Sequence, residues 1–505
     1  MTTTTTGAAA TRPVLRTVPD LLDWRCELHP DRVAVEVHGV AALTFAEWSA
    51  GANRVAAALH RRGLRHGDRV GLVFGARDWT QFAVAYCGVL RAGAVAVPLS
   101  ERLAPGQLQH ALTHCAAGAV LYGGDTEVPA TPAGTPGWPV ADLLADPGTG
   151  PELPPVRPDD LAQILYTSGT TGRPKGVGAS HANLTAGAPN HPRRLALGHS
   201  QRFLHAFAIG TNAGQTMLFN ALTAKAAALT LPRFTPVRFA RLIEAPGTGT
   251  LFVVPSVAIE LLDSGALRDR DLSGVHLIGS TAAALPPAVA ARLAEAFPAA
   301  TIVNYYTSTE AAPAQTTMIY DPARRDAVGR PVGGQLMIAD ADGNPLPAGA
   351  TGDVWLRSPH PRAYYRDEAA NRATFRDGWV RMGDVGRIDA DGYLYLTDRH
   401  QDVIKSGAFK ISTLEIEAAL HEHPLVAEAA VVGVPHPVLG SAVAAAVVPR
   451  PEAAPEELSL AALRGFLAGR LTDYQLPARV LLLEQLPRNE GGKVLKRQLV
   501  SRFDN

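Results

Sequence analysis

The 505-residue chain has three cysteines, Cys26, Cys87 and Cys115, an odd number, widely spaced and outside any C-x-x-C pair. That argues against a disulfide framework and against a cysteine-built zinc site, and it fits a reducing, cytoplasmic compartment. No stretch approaches the roughly 18 uninterrupted apolar residues of a membrane helix, so no membrane span is expected. The N-terminus, Met1 to Arg12, is rich in Thr and Ala and lacks a basic segment followed by an apolar run; it reads as a disordered tail, not a signal peptide. An excess of charge is missing too. The 47 Lys+Arg balance 47 Asp+Glu, which gives no support to nucleic-acid binding. Lysine itself is scarce and occurs only at Lys175, Lys225, Lys405, Lys410, Lys493 and Lys496. Where arginine is the default surface cation, a retained lysine suggests a site that needs a compact, flexible ammonium.

What is present is length and alternation. A chain of 505 residues exceeds what one hydrophobic core organises, so two or more domains are expected. Helical patterns such as Phe45 to Arg62 alternate with short apolar runs at Val70 to Phe74, Ala94 to Leu99 and Thr250 to Val254, the rhythm of an α/β protein with largely buried sheets. The Pro/Gly-rich stretch Thr131 to Pro158 is aperiodic and reads as a surface connection. After about Asp398 the pattern changes. A helix at Ile411 to His421, strands at Ala427 to Val434 and Ala442 to Val448, and a helix at Leu460 to Arg470 make a small α+β domain, with polar Thr397 to Asp402 as the joint.

The most informative stretch is Tyr166-Thr167-Ser168-Gly169-Thr170-Thr171-Gly172-Arg173-Pro174-Lys175-Gly176, which follows an apolar strand-like run. Glycines let successive backbone N–H groups converge on phosphate oxygens, the hydroxyls add donors and Lys175 adds charge. Its spacing is not G-x-x-x-x-G-K-[ST], so it does not open a helix in the Walker manner.

The order of those residues resembles [YF]-[TS]-S-G-[ST]-T-G-x-P-K-G, the signature of the adenylate-forming superfamily: acyl-CoA synthetases, peptide-synthetase adenylation domains and firefly luciferase. The resemblance runs from about Leu43 to the end. It implies a large multi-subdomain N-terminal adenylation domain over 13–398, a hinge at 399–402 and a small mobile C-terminal lid over 403–505. Asn304-Tyr305-Tyr306-Thr307-Ser308-Thr309-Glu310 is similar to the family's Y-G-x-T-E, which places an aromatic ring against adenine, Thr309 at the α-phosphate and Glu310 on Mg²⁺. Asp384, in Gly378 to Asp384, and Arg399 inherit contacts to the ribose. Ser280-Thr281-Ala282-Ala283-Ala284 resembles S-G-x-A-P, with Thr281 and Ala282 beside the nucleotide and Ser280 at the acyl pocket. Leu486 to Arg497 is similar to the C-terminal motif whose glycine-flanked lysine, here Lys493, enters the active site. Ile404 to Glu417 looks closest to small-acid and malonyl-type acyl-CoA synthetases, where Ser406 and Gly407 line the tunnel for a pantetheine arm.

The resemblance implies a two-step ligase. An acid attacks the α-phosphorus of ATP, pyrophosphate departs, and the acyl-AMP passes to a thiol, either CoA or a carrier protein's phosphopantetheine. The acyl pocket is expected around His205, Phe207, Ala208 and Thr211. Ala208 cannot hold an α-ammonium, so an ordinary amino acid is disfavoured. Departures at Gln401, Thr307, Thr281 and Ala408 keep open a non-thiol second nucleophile, an amine or nitrite as in ATP-dependent diazotases, and a non-catalytic nucleotide-binding module.

Overall fold

The computed structural model describes residues 15–503 except 125, 127–128, 130, 147–152, 168–173, 400–401 and 407–408; for Asp398, Arg399 and Lys410 it describes the backbone alone. The expected tail 1–12 lies outside the described residues.

Local chemistry accounts for the first helices. Thr44 caps the helix Phe45–Arg61: its hydroxyl accepts from Glu47 N–H at 3.2 Å while its own N–H donates to the Glu47 carboxylate at 2.9 Å. Phe45, Trp48, Ala52, Val55, Ala56 and Leu59 recur at three- and four-residue steps and are buried, the apolar stripe of a helix facing a core. That stripe meets the helix Trp79–Arg91 through Gly51 and Gly88. A Cβ on Gly88 would lie 2.6 Å from Val55 and one on Gly51 2.8 Å from Val84, so the two helices approach closer than side chains there would permit.

Among the described residues two large sheets share the core that these helices fill. In the larger, the strands Val33–Val37, Ala227–Thr230, Arg202–His205, Thr248–Val253, Leu277–Ser280 and Thr301–Tyr306 run parallel, and antiparallel strands from Gln315–Ile319 onward extend it. The helices Pro236–Ile243, Pro255–Asp263 and Pro287–Ala296 cover its other face. The second sheet holds the parallel strands Ala117–Tyr122, Arg69–Phe74, Val95–Ser100 and Leu161–Thr167; Lys175–Ser180 then folds back antiparallel on Leu161–Thr167. Along Arg69–Phe74, Val70, Leu72 and Phe74 enter the shared core and Val73 the opposite one, as a sheet covered on both faces requires.

The stretch 131–158 is not simply a connection. The strand Gly137–Pro139 joins the second sheet's edge, and the helix Val140–Leu144 buries Val140 and Leu143 completely. Five helical residues are too few to display a period, which is why the sequence reads as a loop.

The residues after 403 pack on themselves. The strands Val426–His436 and Gly440–Pro449 pair antiparallel, and Arg479–Leu482 adds in parallel. Val431, Val443, Ala445 and Val447 face the helices Thr413–His421 and Leu460–Leu467, while Val432, Val434, Ala442 and Ala444 face Lys496–Phe503. Ile411 belongs to the strand Phe409–Ile411, and the helix starts two residues later because Ser412 caps it, accepting from Glu415 N–H at 3.3 Å. In the same way Thr397 belongs to the strand Leu394–Arg399, beyond which residues 400–401 are not described.

Candidate active site

The strand pair Leu161–Thr167 and Lys175–Ser180 flanks residues 168–173, so the phosphate-loop candidates Ser168, Gly169, Thr170, Thr171 and Gly172 lie outside the described residues while their supports lie within them. Tyr166 anchors one side. Its hydroxyl donates to the Ala111 carbonyl at 2.9 Å and meets His114 Nδ1 at 2.8 Å. His110 Nε2 donates to the Pro174 carbonyl at 3.3 Å on the other. Thr167 and Lys175 stand opposite one another in the register.

Lys175 Nζ lies 4.9 Å from the centroid of the Tyr364 ring, a cation–π contact, and the Tyr364 hydroxyl donates to Glu310 Oε1 at 3.0 Å. One tyrosine therefore joins the lysine of the loop to the candidate metal carboxylate. Burial and the Glu310 charge push its phenol pKa upward, so it stays a donor. Behind it Arg362 is buried: Nη1 donates to the Thr309 carbonyl at 2.9 Å and Nε to Asn183 Oδ1 at 2.9 Å, while Asn183 Nδ2 donates to the Ala312 carbonyl at 3.0 Å. Desolvation lowers the guanidinium to about 10, and the nearby Tyr86 and Glu310 oppose that loss. Tyr364, Arg362 and Asn183 carry no motif spacing that marks them in the sequence.

The carboxyl ends of the parallel strands, where ligands of open α/β sheets collect, carry the nucleotide-binding candidates. The Tyr306 hydroxyl donates to Asp384 Oδ2 at 2.5 Å, and Asp384 is buried on Trp379–Ile388 directly opposite Arg399 in the antiparallel register. The two ribose candidates thus share one cross-strand position, although the Arg399 side chain is outside the description. Tyr305 turns the other way and packs against the shared core. Ser280 and Asn304 are register partners, and among the described residues the buried Ser280 Oγ and Asn304 Oδ1 have no hydrogen-bond partner. An orphaned amide oxygen at a strand end suits a donor such as the exocyclic amine of a purine. After Ser280 the chain turns through Ala282 at φ +73°, a left-handed residue that is not glycine, while the Thr281 N–H donates to the Val253 carbonyl at 3.2 Å. The Thr307 hydroxyl donates to the Ala314 carbonyl at 2.7 Å and so ties down the loop that carries Thr309 and Glu310.

Around the acyl-pocket candidates, His205 is completely buried, ring against Trp79 and between Phe203 and Phe207, and accepts from Phe207 N–H at 3.3 Å. Burial pushes it down to about 3, so it is neutral and sits in an aromatic core. Thr211 caps the helix Asn212–Thr223; its hydroxyl accepts from Gly214 N–H at 3.0 Å and donates to the Ala208 carbonyl at 2.8 Å.

Lys493 arrives on a tight turn. Asn489 N–H donates to the Lys493 carbonyl and Lys493 N–H donates to Asn489 Oδ1, both at 2.9 Å, and the Arg488 guanidinium donates to the Gly492 carbonyl at 2.6 Å. Gly492, at φ +79°, sits so close to the large domain that a Cβ would lie 3.1 Å from Val254, at the end of Thr248–Val253. A Cβ on Gly491 would lie 3.9 Å from Thr211. The turn is therefore seated beside Val254, just past Thr248–Val253, and beside Thr211, which caps Asn212–Thr223. Ser406 stays within the C-terminal lobe, paired with Phe409, and Gly407, Ala408 and Gln401 lie outside the described residues. Among the described residues no cluster of three or more His, Cys, Asp or Glu could cage a metal. A Mg²⁺ carried in on phosphates needs only one or two protein carboxylates, and Glu310 fits that demand because one tyrosine hydrogen bond leaves most of its acceptor capacity available.

Comparison with known proteins gives a family and a fold. The AMP-binding enzyme family matches residues 22–365, and the AMP-binding enzyme C-terminal domain matches 415–493. The chain is 32% identical over 497 residues to a feruloyl-CoA synthase of Amycolatopsis sp, covering 95% of this chain and 97% of that one. Among solved structures it is similar to the anthranilate CoA ligase AuaEII in complex with anthranoyl-AMP, at 25% identity and a TM-score of 0.84 over 97% and 98% of the two chains. It is also similar to ATP-bound MatB from Rhodopseudomonas palustris, at 28% identity and a TM-score of 0.84 over 97% and 99%.

Proposed function

The chain belongs to the AMP-binding enzyme family, and from that premise we propose that it is an ATP- and Mg²⁺-dependent acid–thiol ligase that makes an acyl-AMP and hands the acyl group to CoA. The observation that carries this reading is the seating of the 489–493 turn over Val254 and Thr211, on the side of the sheet where Tyr306 and Asp384 meet.

A carboxylate is a poor electrophile because oxide is a poor leaving group, and joining it to AMP supplies a good one. In the first step the acid's oxygen attacks the α-phosphorus of ATP while the bond to the pyrophosphate oxygen breaks. Tyr306 and Asp384 hold the adenosine, with Asn304 accepting from the purine amine. Residues 167–175 receive the departing pyrophosphate, and Thr309 and Lys493 stabilise charge at the α-phosphoryl group. Catalysis is positioning and charge stabilisation. When bound, Mg²⁺ neutralises phosphate charge, and Glu310, oriented by Tyr364, would hold it.

In the second step the thiolate sulfur attacks the acyl carbon and AMP leaves with the bonding pair. We place the domain boundary at 399–402, with residues 403–505 turning so that the stretch from Ser406 to Phe409 faces the adenylate in place of Lys493. Support comes from the separate cores of that lobe. A thiol acceptor is favoured over an amine or nitrite by relatives that are themselves CoA synthases and ligases; a carrier-borne pantetheine would present the same arm. We place the enzyme in the cytoplasm, a reading supported by three unpaired cysteines, and no described helix is long and apolar enough to cross a membrane.

The test is incubation with ATP, Mg²⁺ and a panel of aryl and short-chain acids, with and without CoA. Acid-dependent pyrophosphate release followed by a CoA-dependent thioester is expected. Adenylate that accumulates and yields no thioester would point to a non-thiol acceptor, and nucleotide left intact with every acid would leave only a binding module.

A further inference from the structure

The lobe that carries Lys493 meets the large domain at several places, and one of them is the helix Pro255–Asp263. Asp263, its last residue, sits where the helix dipole disfavours an anion. Two arginines answer it. Arg292, on Pro287–Ala296 of the same domain, reaches Oδ1 at 2.5 Å, and Arg450, from the C-terminal lobe, pairs with the same oxygen. Asp263 and Arg450 are 12% and 14% exposed, so this ion pair is largely shielded, unlike the rim pair Arg325 to Glu422 at 50% and 41%. One turn earlier on the helix, Glu260 has its pKa raised by burial and by Glu428 of the lobe, so a like-charge contact opposes the attraction.

From Arg450 a continuous path leads to Lys493. Arg450 follows the strand Gly440–Pro449, whose Val448 is the register partner of Glu428; Glu428 pairs with Arg488, and Arg488 donates to the Gly492 carbonyl. We propose that Asp263 and Arg450 form a releasable latch that positions the Lys493 turn for adenylation and opens for the second step. The proposal rests on the two-step ligase reading above. The latch is releasable because Arg292 remains on Asp263 when Arg450 leaves, so opening does not strand a shielded carboxylate without a cation.

Arg450→Ala and Asp263→Asn are compared with the parent in two separate half-reactions. Acid-dependent ATP–pyrophosphate exchange should fall about tenfold, a typical coupling between a remote contact and a site. Thioester formation from supplied acyl-AMP and CoA should be unchanged or faster. Equal losses in both halves, or none in either, would overturn the latch. Lobe separation is read independently by single-molecule energy transfer between dyes at Ile319→Cys and Val438→Cys, both exposed positions, in a chain carrying Cys26→Ser. Arg450→Ala should move the population toward the undocked separation whether or not any tested acid is turned over, and an unchanged distribution would overturn the latch even if the ligase reading stands. A parent chain that makes no adenylate while the distribution still shifts would defeat the ligase reading and leave the latch intact.

Discussion

Lys493 follows Gly492, whose φ of +79° and close approach to Val254 disfavour a side chain, which is why its motif shows in the sequence: the geometry restricts the residue type there. Acting on charge that exists only in the transition state, it should be worth about 3–4 kcal/mol, so Lys493→Ala should slow pyrophosphate exchange roughly 10²–10³-fold and affect thioester formation from supplied acyl-AMP far less. Tyr364 is the opposite case. It acts through contacts to Glu310 and Lys175, 54 residues away in the first instance, and nothing in its neighbourhood of the sequence hints at either. Tyr364→Phe keeps the ring beneath Lys175 but removes a hydrogen bond to a charged group, worth about 1.5–3 kcal/mol. Roughly a tenfold rise in the Mg²⁺ needed for half-maximal ATP binding is expected by calorimetry, with affinity for metal-free ATP little changed. Tyr364→Leu should weaken both. Arg362 and Asn183 were equally silent, since their bond spans 179 residues.

At the scale of elements, the signal was strongest where local chemistry and burial agree. The apolar stripe from Phe45 to Leu59 marks the helix Phe45–Arg61, and the capping box at Thr44 fixes its start. The strand Lys175–Ser180 was not apparent because Lys-Gly-Val-Gly-Ala-Ser shows no alternation of large apolar side chains; its pairing with Leu161–Thr167 defines it. Glycines inside helices carry the packing that the pattern cannot express. Gly88→Ala would drive a methyl to 2.6 Å from Val55 and 3.1 Å from the Ala52 carbonyl, so a loss of about 1–3 kcal/mol in denaturant unfolding of the large domain is expected. Destabilisation below about 0.5 kcal/mol would show that the helices separate readily, contrary to this packing.

For the whole molecule, the α/β class and a small C-terminal lobe follow from alternation and composition, whereas the order of strands in the long sheet depends on distant pairings such as Val35 with Ala228. Three histidines, His205, His181 and His421, are pushed down to about 3, 4 and 4, chiefly by burial. Their ordinary value is 6.5, so between that pH and about 4 the unfolded chain takes up protons that the folded chain refuses. Stability from these groups is complete above 6.5 and declines as pH falls through that window. His421→Gln, at the seam beside Arg450 and Arg488, should flatten part of the decline in chemical denaturation followed from pH 7 to 4.5. The larger claim is that one nucleotide is held jointly by residues 167–175, by Asn304 to Glu310 and by the turn bearing Lys493. A crystal structure with ATP and Mg²⁺ bound tests it directly. It should show adenine against Tyr306, the metal on Glu310 and Lys493 at the α-phosphate; a triphosphate bound elsewhere, with those three segments facing separate cavities, would contradict it.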